Sequence, residues 1–304
     1  MRIISFDDLY VDYYMKKGEL VGLCGGKTNA NILVNLSPYF KTAFFGQCGN
    51  DDKGDLVIKS LAIHDVDVTN IKRVDGETKA FFLDENKFSK ECPYCHREVG
   101  YAKKMLDVED ILSHIESDDV IVVDNLKTST LKILSEVDNK AFLDLGYLGN
   151  LLYLSLDEIV ELMVNRFEII SMNKRVYDCL KHKFAIDSTD LYELLNPKIL
   201  IITKGEKGCD IIANGEFIKK EIENPAKVVD PNGAGDAFFA EFIRTYLESD
   251  TVNEMMISKA YMRASIASSL VVGVVGARSV HNPLFHIENY EECICKKFSI
   301  REKY

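Results

Sequence analysis

The sequence predicts an α/β protein with a doubly covered, mostly parallel sheet, and three observations carry that expectation. Four short apolar runs end in polar or glycine residues: Val120–Val123 before Asp124-Asn125, residues 141–143 before Asp144, residues 167–170 before Ser171-Met172-Asn173, and residues 199–202 before Thr203-Lys204-Gly205. The runs lie roughly 20 to 30 residues apart, room enough for a crossover helix between each pair. The runs are apolar on both faces apart from Glu168, the pattern of strands covered on both sides by helices. Ligands of such sheets bind beyond the C-terminal strand ends, so the polar residues closing the runs are expected to line a site.

The earlier part of the chain reads differently. Residues 6–14 and 78–83 alternate loosely and fit antiparallel or edge strands. From Gly76 to Lys104 the sequence turns polar and charged, which predicts a protruding element attached to the main body. No repeat, low-complexity tract or Pro/Gly/Ser-rich linker interrupts the chain, so one domain over 1–304 is the simplest organisation.

The 304 residues are 47% hydrophobic and 28% charged, a globular composition. A net charge of −11 argues against a nucleic-acid partner, which needs a basic face, and leaves small ligands open. The first fourteen residues carry early acids and no apolar core, unlike a secretory signal. The stretch 264–277 is too short to span a bilayer and reads as a buried helix and turn. A cytoplasmic location is expected, with the eight cysteines mostly reduced.

The chemistry concentrates at Asp230-Pro231-Asn232-Gly233-Ala234-Gly235-Asp236. Val228-Val229 reads as a strand end, residues 230–235 as a turn, and residues 236–247 as a helix with Phe239, Phe242, Ile243, Tyr246 and Leu247 on one face. Gly233, Ala234 and Gly235 then supply backbone amides at a helix start, an anion site that glycine opens to close approach. Asp236 beside that site suits a base that takes the proton of an attacking hydroxyl; its bland alternative is a helix-start acid. Two commoner phosphate loops are excluded. Gly25-Gly26-Lys27-Thr28 lacks the first P-loop glycine, where Val21 stands, and Phe238 replaces the third glycine of a dinucleotide fingerprint.

These residues resemble the ribokinase-like, or PfkB-type, carbohydrate kinases, and the likeness runs in family order along nearly the whole chain. Residues 230–238 resemble the C-terminal signature. Asp12 resembles the early substrate-binding Asp, and Gly25, Gly26 and Lys27 with Asn31 resemble the sugar-binding turn and helix start. Phe44-Phe45-Gly46 through Gly49, Asp51 and Gly54 resemble the N-terminal signature, and Thr203 with Gly205 and Gly208 the nucleotide loop. Gly276-Ala277 resemble the loop under the adenine. The resemblance implies a ribokinase-like fold with a small β lid from about 8–24 and 76–104. It implies transfer of the ATP γ-phosphate, with Mg²⁺, to a hydroxymethyl group of a sugar or sugar derivative. Asp236 would be the base, Gly233, Ala234 and Gly235 the anion hole, Asp12, Gly25, Gly26, Lys27 and Asn31 the substrate contacts, and Asn173 part of the nucleotide site. A homodimer is compatible with it.

Four departures stand out. The family's Asn falls at Ala30, between Asn29 and Asn31. Asn173 is followed three residues later by Val176, where the family has a Glu that helps organise Mg²⁺. Pro231 replaces a common Thr, altering a loop that binds a monovalent cation in some members. Only 12 residues separate Asp12 from Gly25, so the lid is expected to be small, as in fructosamine-type kinases. Cys92-Pro93-Tyr94-Cys95 followed by His96 reads as loop cysteines, with a zinc half-site whose further ligands would come from Cys293 and Cys295 or from His96, or a redox pair, as sharper alternatives. Two readings from other classes remain: a nucleotide- or sugar-binding regulator on this fold, and a metal or redox sensor built on Cys92 and Cys95.

Overall fold

The computed structural model describes residues 1–278, except 17–18, 85–97, 100–105, 223–225, 250 and 275. Cys92, Cys95, His96, Cys293 and Cys295 lie outside the described residues.

The chain opens with β1 (Ile3–Asp8), β2 (Tyr10–Lys16), β3 (Glu19–Gly25), α1 (Thr28–Leu36), β4 (Thr42–Gly49) and α2 (Asp52–Ala62). Short strands β5 (Val66–Asp67) and β6 (Ile71–Val74) precede β7 (Lys79–Asp84) and β8 (Glu98–Val99). Strands then alternate with helices: α3 (Val108–His114), β9 (Val120–Val123), α4 (Thr128–Ser135), β10 (Ala141–Leu145), α5 (Leu156–Met163) and β11 (Ile169–Asn173). Two helices, α6 (Lys174–Phe184) and α7 (Ser188–Leu195), lead to β12 (Ile199–Thr203), β13 (Cys209–Ala213) and β14 (Glu216–Lys220). The described chain ends on α8 (Ala234–Leu247) and α9 (Glu254–Val272).

Ten strands form the main sheet in the order β14-β13-β12-β11-β10-β9-β1-β4-β5, with β6 also on β4. Pairing is parallel from β12 through β5; β13 and β14 add an antiparallel edge. Consecutive strand residues point to opposite faces, so continuous apolar runs feed two cores at once. Ile3, Val122, Phe142, Ile169 and Ile201 pack beneath α1, α2, α8 and α9. Their neighbours Ile4, Ile121, Leu143, Ile170 and Ile202 pack beneath α3 to α7. This is the expected doubly covered, mostly parallel α/β sheet.

A separate four-stranded sheet, β3-β2-β7-β8, stands beside it. The loosely alternating stretch 6–14 is therefore not one edge strand. It divides at Leu9, whose N–H donates to Gln47 O at 2.9 Å; β1 stays in the main sheet and β2 leaves for the small one. Asp51 ties the sheets together. Its carboxylate caps α2 through Gly54 N at 2.8 Å and accepts from Thr78 N at 2.9 Å, just before β7. A Cβ on Gly54 would sit 2.3 Å from Gly49 O, so the glycines of the 44–54 signature let this junction close.

Two other expectations are corrected. Val228 and Val229 form no strand; they are 55% and 54% exposed, because Val229 N bonds only Val272 O and no sheet neighbour exists there. The stretch 264–277 is helical to Val272 but only one side is covered: Ala264 and Val271 are buried, while Ile266 and Leu270 face outward. Among the described residues no helix is long and apolar enough to cross a membrane.

Candidate active site

The C-terminal ends of β1, β9, β10, β11 and β12 point to one side, where α1 and α8 begin. α8 is specified by apolar residues at helical spacing: Phe239, Phe242 and Ile243 are fully buried against the sheet. Its start is fixed by Asp230, whose Oδ1 accepts from Asn232 N at 3.0 Å and Asn232 Nδ2 at 2.6 Å. The other oxygen accepts from Gly276 N at 2.8 Å, so the turn before α8 and the loop after α9 share one carboxylate. Gly233 caps the helix in the left-handed region, φ 83°, and a Cβ there would lie 2.5 Å from Ala277 Cβ.

Ala234, Gly235 and Asp236 are the first three residues of α8, whose N–H groups have no intrahelical partner. A Cβ on Gly235 would meet nothing within 4 Å, so this loop presents open backbone to any approaching group. The observed cradle fits a phosphate at the positive end of the helix dipole.

Asp236 points into the interior and is 9% exposed. Asn31, on α1, donates from Nδ2 to Asp236 Oδ2 at 2.6 Å. Burial raises the Asp236 pKa to about 6; Asp124 adds to this, while the Asn31 amide, the Arg278 guanidinium and the Thr28 hydroxyl oppose it. The group is ionised at neutral pH yet basic enough to accept a proton.

Of the three neighbouring positions at the start of α1, Asn31 alone faces Asp236. Ala30 is buried in the core, and Asn29 donates to Phe6 O at 3.4 Å. Asp12 lies against the Gly25-Gly26 turn: a Cβ on Gly26 would be 2.3 Å from its Oδ1. Burial raises the Asp12 pKa to about 7, with Arg278 opposing and Asp236 and Asp230 adding to the rise. Asp12, beside Gly26, thus lies close enough to Asp236, which Asn31 bonds, for the two carboxyls to influence each other.

Lys27 behaves differently from the other residues of its turn. It holds a left-handed φ of 87°, and its buried ammonium pairs with Asp7 at 2.7 Å and Asp124 at 2.9 Å, beside the Tyr10 ring. Burial disfavours both charges, but the two carboxylates hold Lys27 protonated, and Lys27 with Lys127 hold Asp7 well below the usual carboxylate range. This cluster braces the β1 and β9 ends, and its ammonium is already engaged.

On the other flank Thr203 lies opposite Asn173 in the β11–β12 register. Gly205 follows at φ 59° with open space around its Cα, and Gly208 at φ 84° has Lys220 O where a Cβ would stand. Asn173 caps α6: Oδ1 accepts from Val176 N at 2.9 Å, and Nδ2 donates to Gly146 O at 2.9 Å. Val176 is fully buried in the core. Both atoms of the Asn173 side-chain amide are bonded to backbone and the Val176 side chain carries no oxygen, so these two side chains do not fit a Mg²⁺ site.

Of two further residues of the site, Asp144 was expected only as the polar residue closing an apolar run, and Arg278 carried no sequence signal. Asp144, in β10, is buried; burial and Asp236 raise its pKa to about 8, and the Ser171 hydroxyl opposes. Only its place at a strand end pointed to it. Arg278 is buried between the Gly25-Gly26 turn and Asn31, and its position two residues after Gly276 gave no hint of this.

Residues 14–283 match the pfkB family carbohydrate kinases. The chain is 25% identical over 288 residues to the 5-dehydro-2-deoxygluconokinase of Mesomycoplasma hyopneumoniae, covering 86% of this chain and 84% of that protein. Its fold resembles the fructokinase from Vibrio cholerae solved with fructose, ADP and calcium ion bound, with TM-score 0.74 and 17% identity over 92% of this chain and 95% of that one. It also resembles the aminoimidazole riboside kinase from Salmonella enterica, with TM-score 0.70 and 18% identity over 93% and 97% of the two chains. The fold is ribokinase-like, and the chain belongs to the pfkB family of carbohydrate kinases: it is a phosphotransferase with an alcohol group as acceptor, for which the family's phosphate donor is ATP.

Proposed function

We propose that the protein transfers the γ-phosphate of ATP to a hydroxymethyl oxygen of a sugar or sugar derivative, with Asp236 as base and the Gly233–Gly235 backbone as anion hole. The observation that carries this reading is the pairing of opposites at the start of α8. Amides that favour negative charge stand beside a buried carboxylate whose pKa is raised to about 6.

In this reading the acceptor hydroxyl donates its hydrogen bond to Asp236. As its oxygen attacks the γ-phosphorus, the proton passes to Asp236 and the bond from that phosphorus to the β-γ bridging oxygen breaks, leaving ADP. The first amides of α8 stabilise the charge on the transferring group. Asp12, Asn31 and the backbone of Gly25 and Gly26 hold the acceptor's other hydroxyls, since each buried hydroxyl needs a directed partner. Thr203, Gly205 and Gly208 border the nucleotide, and the small sheet β3-β2-β7-β8 covers the acceptor side as a lid. Mg²⁺ accompanying ATP would neutralise phosphate charge, but it gains no ligand from Asn173 and Val176.

The test is ADP release from ATP over a panel of hexoses, pentoses, nucleosides and amino-sugar adducts. One class is expected to give turnover that Asp236→Asn abolishes. ATP and sugar binding without turnover for any class would instead favour a binding regulator on the same fold.

A further inference from the structure

Arg278 is 1% exposed, yet none of the three groups it bonds is a carboxylate. Nε donates to Asn31 Oδ1 at 2.8 Å, Nη1 to Ser60 Oγ at 2.5 Å, and Nη2 to Gly26 O at 2.5 Å. A guanidinium buried against neutral acceptors is poorly compensated by them alone, so the carboxylates it senses through space matter. Those are Asp12 and Asp236.

The geometry also fixes an orientation. A guanidinium can only donate, so Asn31 must turn its oxygen toward Arg278. Its NH₂ group then has one direction left, and there it meets Asp236 at 2.6 Å. Gly25 is glycine for the same reason: a Cβ would stand 2.2 Å from Arg278 Nη1 and 2.0 Å from Ser60 Oγ. Arg278 thus ties α2, the Gly25-Gly26 turn and α1 to the loop that also holds Asp230 through Gly276.

We propose that Arg278 is the positioning residue of the base, aiming Asp236 by locking the amide of Asn31 and holding the Gly25-Gly26 turn against it. The proposal rests on Asp236 as base for its catalytic consequence, while its electrostatic consequence is independent of that reading. Asp236 faces Asn31 and Thr28 of α1, Asp124 beyond β9, Asp144 of β10, Asp12 of β2, and Arg278. Among these charged groups Arg278 is the cation that favours ionised Asp236, and it does so both directly and through Asn31.

The experiment follows the Asp236 carboxyl by carbon NMR in protein labelled at aspartate Cγ, its resonance assigned by its loss in Asp236→Asn. Arg278→Met is expected to raise its titration midpoint by about one unit or more. Arg278→Lys keeps a cation and is expected to restore most of that shift, while kcat for ADP release falls at least about tenfold for want of the fork to Asn31. A midpoint unchanged in Arg278→Met overturns the proposal, because a merely structural arginine would leave it in place. Should that variant not fold, an unchanged kcat in Arg278→Lys overturns it equally. An active Asp236→Asn alongside a shifted midpoint would sink the base assignment and leave the positioning intact.

Discussion

Asn31 and Asp236 lie 205 residues apart in the sequence and 2.6 Å apart in space, the amide of one donating to the carboxylate of the other. The bond joins the start of α1 to the start of α8, the two helices that frame the candidate site. Asn31→Ala removes a donor that favours the ionised carboxyl. The acid limb of the kcat/KM profile should therefore move to higher pH, and kcat should fall by about tenfold or more. Asn29→Ala, whose side chain bonds Phe6 O instead, should leave that limb where it is.

The unmodified enzyme should itself lose activity as pH falls through about 6. Asp236 has its pKa raised to about 6, chiefly by burial, and in the proposed mechanism its deprotonated form is the working one. A pH profile of kcat/KM with an acid limb near that value is the expected result; a limb near 4 would mean that Asp236 is solvated in the working enzyme.

Stability should run the other way with pH. Asp144, buried beside Asp236, has its pKa raised from 3.8 to about 8. Between those values the folded chain keeps a proton that the unfolded chain has released, so folding is favoured at the lower end and weakens as pH rises. Thermal unfolding at pH 5 and pH 8 should show that decline, and Asp144→Asn should flatten it.

Much of this arrangement was legible in the sequence, and the limits are physical. Apolar runs at 120–123 and 199–202 became β9 and β12 because both faces of the sheet are covered, a condition written into consecutive residues. The helix start at Gly233–Asp236 was readable because glycine and helical spacing are local signals. Asp144 was readable as a strand-end polar residue but its burial near Asp236 was not, and Arg278 was not readable at all, since both depend on neighbours far along the chain. Val228-Val229 was misread because β-branched residues signal a strand only where a partner strand exists.

The two glycines of the proposed anion hole should separate cleanly under substitution. Gly233→Ala meets both a left-handed φ and the Ala277 methyl, so it should destabilise by about 1–3 kcal/mol and lower Tm by several degrees. Gly235→Ala meets nothing and should leave Tm unchanged, while its methyl intrudes on the phosphate face and raises KM for ATP. Thermal melts and ATP titrations of the pair check both halves.

Lys27 offers a stability test away from the transfer chemistry. Lys27→Met leaves Asp7 and Asp124 facing each other without their shared cation, a loss of about 3–5 kcal/mol for a buried network. Urea unfolding should register it as a lower midpoint.

The most direct test of Asp236 is a single substitution. With an acceptor identified by ADP release, Asp236→Asn keeps the volume of the side chain and removes the base. Its kcat should fall by about 10²–10⁴ with ATP still bound. An Asp236→Asn enzyme that turns over at the unmodified rate would contradict Asp236 as the base.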